Sequence, residues 1–163
     1  LPADLILVTH QHHDHNCIDL PAKNSGCVIW QSFDALKDGK YQTLTLDYAT
    51  VEAVQAYNHH HSKAECVGYI VSTDGISIYF AGDTAETEQM KQMPKRKLDY
   101  AVLPMDSTYT MDIDETIHCA SLIKAKHTIP VHMSPGMLFD MERAKKFTAD
   151  GALIMQPGEQ IKL

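Results

Sequence analysis

The segment Thr9-His10-Gln11-His12-His13-Asp14-His15 concentrates the chemistry legible in this chain of 163 residues. In an extended loop, residues i and i+2 face the same way, so His10 and His12 can hold one ion together. A helical turn starting there would project Asp14 and His15 from adjacent positions toward a second ion. Imidazole and carboxylate are ligands for Zn, Mn or Fe. A histidine-rich surface loop is the plainer alternative. Several ionisable groups placed directly after an apolar strand favour metal binding over it.

The elements that position this segment follow from hydrophobic patterning. Leu5-Ile6-Leu7-Val8 is a continuous apolar run of strand length, of the kind covered on both faces. Val28-Ile29-Trp30 predicts a second strand, with Ser32 as N-cap of a helix over Phe33 to Leu36. Thr43 to Leu46 and Val51 to Ala56 alternate as half-buried strands do. Cys66 to Ser72 and Ile76 to Phe80 flank Asp74-Gly75, a strong hairpin signal. The pattern then changes to strand and helix in alternation. Glu86 to Met93 predicts a helix, Tyr100 to Leu103 a strand ended by Pro104, and Asp112 with Glu115 the capping box of a helix through Lys124. Thr128 to Val131 predicts an edge strand because of Pro130, Asp140 to Ala149 a helix, and Leu153 to Met155 with Gln160 to Lys162 two closing strands. Strands first and βα units later predict helices packed on sheets in one α/β domain over residues 1–163.

Composition bounds the function. Ten histidines stand beside fourteen Lys plus Arg, and the net charge is −7 with histidine neutral. That balance argues against nonspecific binding to nucleic acid or anionic membrane. No apolar run approaches the ~20 residues of a membrane helix. Lys95-Arg96-Lys97 reads as a solvated turn after Pro94. Cys17, Cys27, Cys66 and Cys119 are widely spaced, with no CxxC pair, and predict reduced thiols in a cytoplasmic protein. The chain opens on Leu1 with no initiator methionine and no signal-peptide pattern, as a piece whose beginning was removed or not recorded would.

Further motifs follow the first in order. Ala56-Tyr57-Asn58 precedes His61-Ser62-Lys63 and Gly68-Tyr69; Tyr79-Phe80-Ala81-Gly82-Asp83-Thr84 ends a strand. Ser107-Thr108-Tyr109-Thr110-Met111-Asp112 forms a later loop, and Ile129-Pro130-Val131-His132 ends another strand. Together with His10-x-His12-x-Asp14-His15, these resemble the metallo-β-lactamase superfamily. The likeness is to its branch of metal-dependent hydrolases related to ascorbate-6-phosphate lactonase, and it covers nearly the whole chain. It implies an αββα sandwich. Domains of that family begin with strands and a short hairpin before the first ligand motif. The resemblance therefore implies an N-terminally truncated domain, short by about fifty residues or roughly two hairpins. Such a loss would expose a sheet edge and a core face to a partner, including a homo-oligomer.

By the same resemblance, His10, His12 and His61 would hold one metal ion, Asp14, His15 and His132 a second, and Asp83 would bridge them. His61 is preferred over His59 and His60 because His-Ser-Lys matches the family's His-Pro-Lys best, although Ser62 replaces its proline. His13 is the variable position of the signature and is expected to point outward. His118 and His127 read as structural or solvated. Cys17 reads as a small buried residue rather than a ligand.

Two divalent ions would outweigh Asp14, Asp83 and one hydroxide by a single positive charge, which favours an anionic group on a small-molecule substrate. The ions would lower the pKa of bound water from 15.7 to roughly 7. The hydroxide would attack an ester, lactone or phosphoester, with the metals stabilising the oxyanion. Asp14 would orient it or take its proton, and Tyr109 would donate to the oxyanion or leaving group. Lys63 is a candidate for steering a phosphate. Met105-Asp106-Ser107 stands where the family tends toward glycines, and these bulkier, more acidic residues are expected to narrow the pocket or oppose an anionic substrate. A phosphodiesterase or nuclease of the same superfamily is the second expectation, and a non-catalytic metal-binding or assembly module the third.

Overall fold

The structure is a computed structural model and describes residues 1–163. β1 (Ala3–Val8) pairs in parallel with β2 (Lys23–Gln31) as a two-stranded sheet. α1 (Ser32–Ala35) is a single helical turn, and β3 (Leu36–Lys37) with β4 (Lys40–Tyr41) forms a small hairpin after it. The larger sheet uses β5 (Thr43–Thr45), β6 (Thr50–Gln55), β7 (Val67–Thr73), β8 (Ile76–Phe80), β9 (Tyr100–Pro104) and β10 (His127–Val131). Its order is β10-β9-β8-β7-β6-β5, antiparallel from β5 to β8 and parallel from β8 to β10. Asp74 and Gly75 take φ of 48° and 80° in the β7–β8 turn, the left-handed pair that suits the twist of a hairpin.

Side-chain alternation on the large sheet builds two cores. Val51 and Ala53 of β6 and Val67 and Tyr69 of β7 face the small sheet, where they bury Trp30 and Ala35. The opposite face carries Val54, Ile70, Tyr79, Ala101 and Leu103. These pack against α2 (Ile113–Ile123), through Cys119, Ala120 and Ile123, and against a 3-10 helix (Met90–Arg96), through Met90 and Met93. Ala144 of α3 (Met141–Ala144) joins the same cluster. The result is two β layers with helices on the outside of the larger one, an α/β sandwich. No helix is long and apolar enough to cross a membrane.

Several elements differ from their sequence expectation. The segment 86–93 is not an α-helix; winding begins at Met90 with i→i+3 bonds, such as Gln92 N–H to the Gln89 carbonyl at 3.0 Å. Pro94 has no N–H to offer an i−4 carbonyl there. Gln31, not Ser32, caps α1, and its N–H reaches the Asp34 carboxylate at 3.4 Å. α3 stops at Ala144 rather than 149, because the following N–H groups of Lys146 and Phe147 tighten onto Arg143 and Ala144 carbonyls three residues back. The closing segment forms no named strand; Ala152 makes one isolated bridge to Thr128. α2 begins as expected, with the Asp112 side chain accepting from Glu115 N–H at 2.8 Å.

Candidate metal centre

β6, β8, β9 and β10 all run antiparallel to β7, so their C-terminal ends share one edge of the sheet. β1 ends at the same edge, where Thr9 carbonyl accepts from Val67 N–H at 2.9 Å and Val8 carbonyl from the Tyr69 hydroxyl at 2.8 Å. Residues just past these ends converge. From β1 come His10, His12, Asp14 and His15, with a helical turn closed by His15 and Asn16 N–H groups on the His12 carbonyl. After β6, a tight turn between Asn58 and His61 delivers His61. After β8, Gly82 adopts φ +65° and presents Asp83; a Cβ there would lie 3.1 Å from Thr9 and from the Val67 carbonyl, tighter than an ordinary contact. After β10, His132 takes a left-handed φ of 47°. Such a backbone on a histidine is uncommon and clusters at functional positions.

Three groups of ligand atoms each lie within 4.8 Å of one another: His10, His12 and His61; His10, His15 and Asp83; and Asp14, His15 and His132. Asp83 joins the two ends of the cluster, since its Oδ2 stands 3.5 Å from the Nε2 atoms of His15, His61 and His132. The rings crowd edge to face, with His10 centroids 4.6 Å from His12 and 4.8 Å from His61. Of the three consecutive histidines, only His61 is buried; His59 and His60 are exposed. His13 is exposed and belongs to none of the three groups. Asp14 reaches His15 Nε2 at 3.5 Å with most of its carboxylate exposed to the cavity.

The electrostatics fit cations better than protons. His10 Nε2 and His61 Nε2 are buried with no hydrogen-bond partner, a costly state for a polar atom unless something else occupies its lone pair. Burial, then the like charges of His15, His61 and His12, hold the His10 pKa down to about 3. Burial lowers that of His61 as well, against the pull of Asp83. His10 and His61 are therefore held in the neutral form, which is the one a metal needs. Burial pushes the Cys66 thiol up to about 11, so it stays protonated beside the cluster. Cys17 is exposed, contrary to the expectation of burial, and its thiol donates to the His13 carbonyl at 2.9 Å.

A cavity of about 970 Å³ opens over the cluster. Tyr109 lines it, as do Phe80, Val131, Met137 and Leu138. Lys63 does not line it; its ammonium sits 5.0 Å from the Tyr57 ring instead. His118 lies 3.3 Å from Glu86, and the His127 ring stacks on Tyr100. Met105, Asp106 and Ser107 do not narrow the cavity as expected. Met105 and Asp106 are buried behind it, and Ser107 turns toward Arg143 at 2.6 Å.

Two features escaped sequence reasoning. Burial raises the pKa of Asp106, but the N–H groups of Thr108, Thr110 and Tyr109 and the Thr110 hydroxyl outweigh it and hold the carboxyl below its usual range. Its other oxygen lies 3.2 Å from His132 Nδ1, a close polar contact that is not aligned as a hydrogen bond. The second feature is the turn Ser134-Pro135-Gly136-Met137-Leu138, closed by Met137 N–H on the Ser134 carbonyl at 3.2 Å and held by Ser134 Oγ on Asp140 at 2.9 Å. A Pro-Gly turn followed by Met-Leu-Phe immediately after the last histidine was the available signal.

An α/β sandwich whose strand ends gather five histidines and two aspartates is the scaffold of a metal-dependent enzyme. A family model described as the beta-lactamase superfamily domain matches residues 1–132. The UPF0173 metal-dependent hydrolase of Pyrococcus furiosus is 33% identical over 183 residues, covering 98% of this chain and 81% of the relative. The UPF0173 metal-dependent hydrolase of Thermococcus kodakarensis is 33% identical over 185 residues, covering 99% and 82%. Among solved structures, Igni18, a novel metallo hydrolase from the archaeon Ignicoccus hospitalis, superposes with a TM-score of 0.75 at 22% identity, covering 97% of this chain and 78% of that one. The chain belongs to the beta-lactamase superfamily, as a metal-dependent hydrolase with the metallo-β-lactamase fold.

Proposed function

We propose that residues 1–163 act as one hydrolase unit on a small carboxylic ester or lactone that carries an apolar arm. His10, His12 and His61 would hold one divalent ion, Asp14, His15 and His132 a second, with Asp83 shared between them. The observation that carries this reading is the meeting of three histidine Nε2 atoms on one Asp83 oxygen, each at 3.5 Å. Zn, Mn and Fe all suit such a donor set. When bound, the ions supply Lewis-acid polarisation of the substrate oxygen and an ionised water at neutral pH.

The protein's own groups do the rest. Asp14, largely exposed in the cavity, accepts a proton at its carboxylate. The Tyr109 hydroxyl, on the rim, donates to the oxygen that gains charge or departs. Phe80, Val131, Met137 and Leu138 give the arm an apolar wall and keep water from it. The excess positive charge of an ion pair supports an anionic substrate, but the buried Asp106 carboxylate offsets it, and no lysine or arginine lines the cavity. A neutral ester or lactone fits that balance better than a phosphodiester or nucleic acid strand.

The test is hydrolysis by protein reconstituted with Zn²⁺ or Mn²⁺, comparing alkyl-substituted lactones, aryl esters and bis-aryl phosphodiesters. Turnover of the first two well above the third is expected. Full ion occupancy with no turnover of any of them would overturn the catalytic reading in favour of a metal-binding module.

A further inference from the structure

Tyr109 is gripped by its backbone from two sides. Its N–H donates to Asp106 Oδ1 at 2.9 Å, and its carbonyl accepts from Asn58 Nδ2 at 2.8 Å. The same two side chains face the outer nitrogens of two histidines in the cluster. Asn58 Oδ1 lies 2.9 Å from His61 Nδ1, and Asp106 Oδ2 lies 3.2 Å from His132 Nδ1. The orientation of the Asn58 amide is fixed independently, because the His60 N–H donates to the same Oδ1 at 2.8 Å. That oxygen only accepts, so His61 must carry its proton on Nδ1 and keep the Nε2 lone pair for the cluster. Asp106 likewise spends Oδ1 on the loop, with Thr108 and Thr110 N–H groups also at 2.9 Å, and turns Oδ2 to His132. Neither Asn58 nor Asp106 lines the cavity.

We propose that Asn58 and Asp106 are positioning residues that couple occupancy of the two metal sites to the placement of Tyr109 over the cavity. This rests on the metal-site reading above. A histidine whose Nε2 is bound to a cation is a stronger donor at Nδ1–H, so an ion on His61 tightens its hydrogen bond to Asn58, and an ion on His132 draws the Asp106 carboxylate closer across their 3.2 Å contact. Through Asn58 and Asp106 that tightening arrives on the two backbone groups of Tyr109. One loop thus senses both ions, and the hydroxyl proposed to serve the substrate is best ordered only when both are present.

Hydrogen exchange of residues 107–111, followed by mass spectrometry with Zn²⁺ or chelator present, tests the coupling without recourse to activity. In the wild-type protein, metal should slow exchange of this segment on the order of tenfold, the equivalent of one or two strengthened hydrogen bonds. Asn58→Asp keeps the acceptor for His61 and removes the donor to Tyr109. It should bind metal in full and lose most of the metal-dependent protection. Asp106→Asn should lose it too, with a weaker second ion. Ion uptake by the wild type with no change in exchange at 107–111 would overturn the coupling and leave the metal centre standing. Loss of protection in Asn58→Asp that is equal with and without metal would reduce Asn58 to a structural clamp. Failure of the wild type to take up any ion would overturn the metal-site reading and the coupling with it.

Discussion

The Oδ2 atom of Asp83 lies 3.5 Å from Nε2 of His61, and the same oxygen is equally far from His15 and His132. One carboxylate, 5% exposed, thus stands between histidines delivered from three separate strand ends. Asp83→Ala is expected to abolish stable occupancy of the paired site, leaving at most one weakly held ion per chain. Metal analysis after gel filtration checks this. Unchanged stoichiometry would show that Asp83 is not shared between the ions.

Gly82 sets the approach of Asp83. Its φ of +65° strains any side chain, and a Cβ there would lie 3.1 Å from Thr9 and from the Val67 carbonyl, so those neighbours would have to give way by a few tenths of an ångström. Gly82→Ala should cost about 1–2 kcal/mol from backbone conformation alone, and more from the contact. Urea denaturation of the metal-free protein measures it, and metal affinity should fall in parallel because Asp83 is displaced.

The metal-free protein should weaken in mild acid. His10 holds a pKa of about 3 in the fold against 6.5 when free. Below pH 6.5 the unfolded chain takes up a proton that the folded chain refuses until about pH 3, so stability falls as pH drops through that window. His61 shifts in the same direction. Urea midpoints in chelator should be lower at about pH 5.5 than at about pH 7.5. An unchanged midpoint would place a compensating proton acceptor in the cluster.

Much of the site was legible from sequence because strand ends are local features. An apolar run that stops at a histidine or an aspartate declares where that side chain emerges, and His10, His12, Asp14, His15, Asp83 and His132 all follow such runs. His61 needed more, since three histidines stand in a row and only the turn closed between Asn58 and His61 decides which ring enters. The outer residues were not legible. Asn58 meets Tyr109 and Asp106 meets His132 across segments far apart in the chain, contacts that no local pattern encodes. The helices at 86–93 and 140–149 were overread for a related reason. Their composition suits a helix, but Pro94 and the shortened i→i+3 winding after Ala144 decide the local structure.

The apolar wall bears on substrate choice. Leu138 is 86% exposed and Met137 is 55% exposed, at the tip of a turn anchored through Ser134 and Asp140. Leu138→Ser should leave folding and ion content intact. It should flatten the rise of kcat/KM with alkyl length, which burial at ~0.8 kcal/mol per methylene sets at up to about fourfold per carbon. A length dependence unaffected by the substitution would move the arm elsewhere.

The central claim is a paired metal site built by this chain's own strand ends. Metal content measured by mass spectrometry, after chelator stripping and reconstitution with Zn²⁺ or Mn²⁺, tests it most directly. Two ions per chain are expected; one or fewer would contradict it.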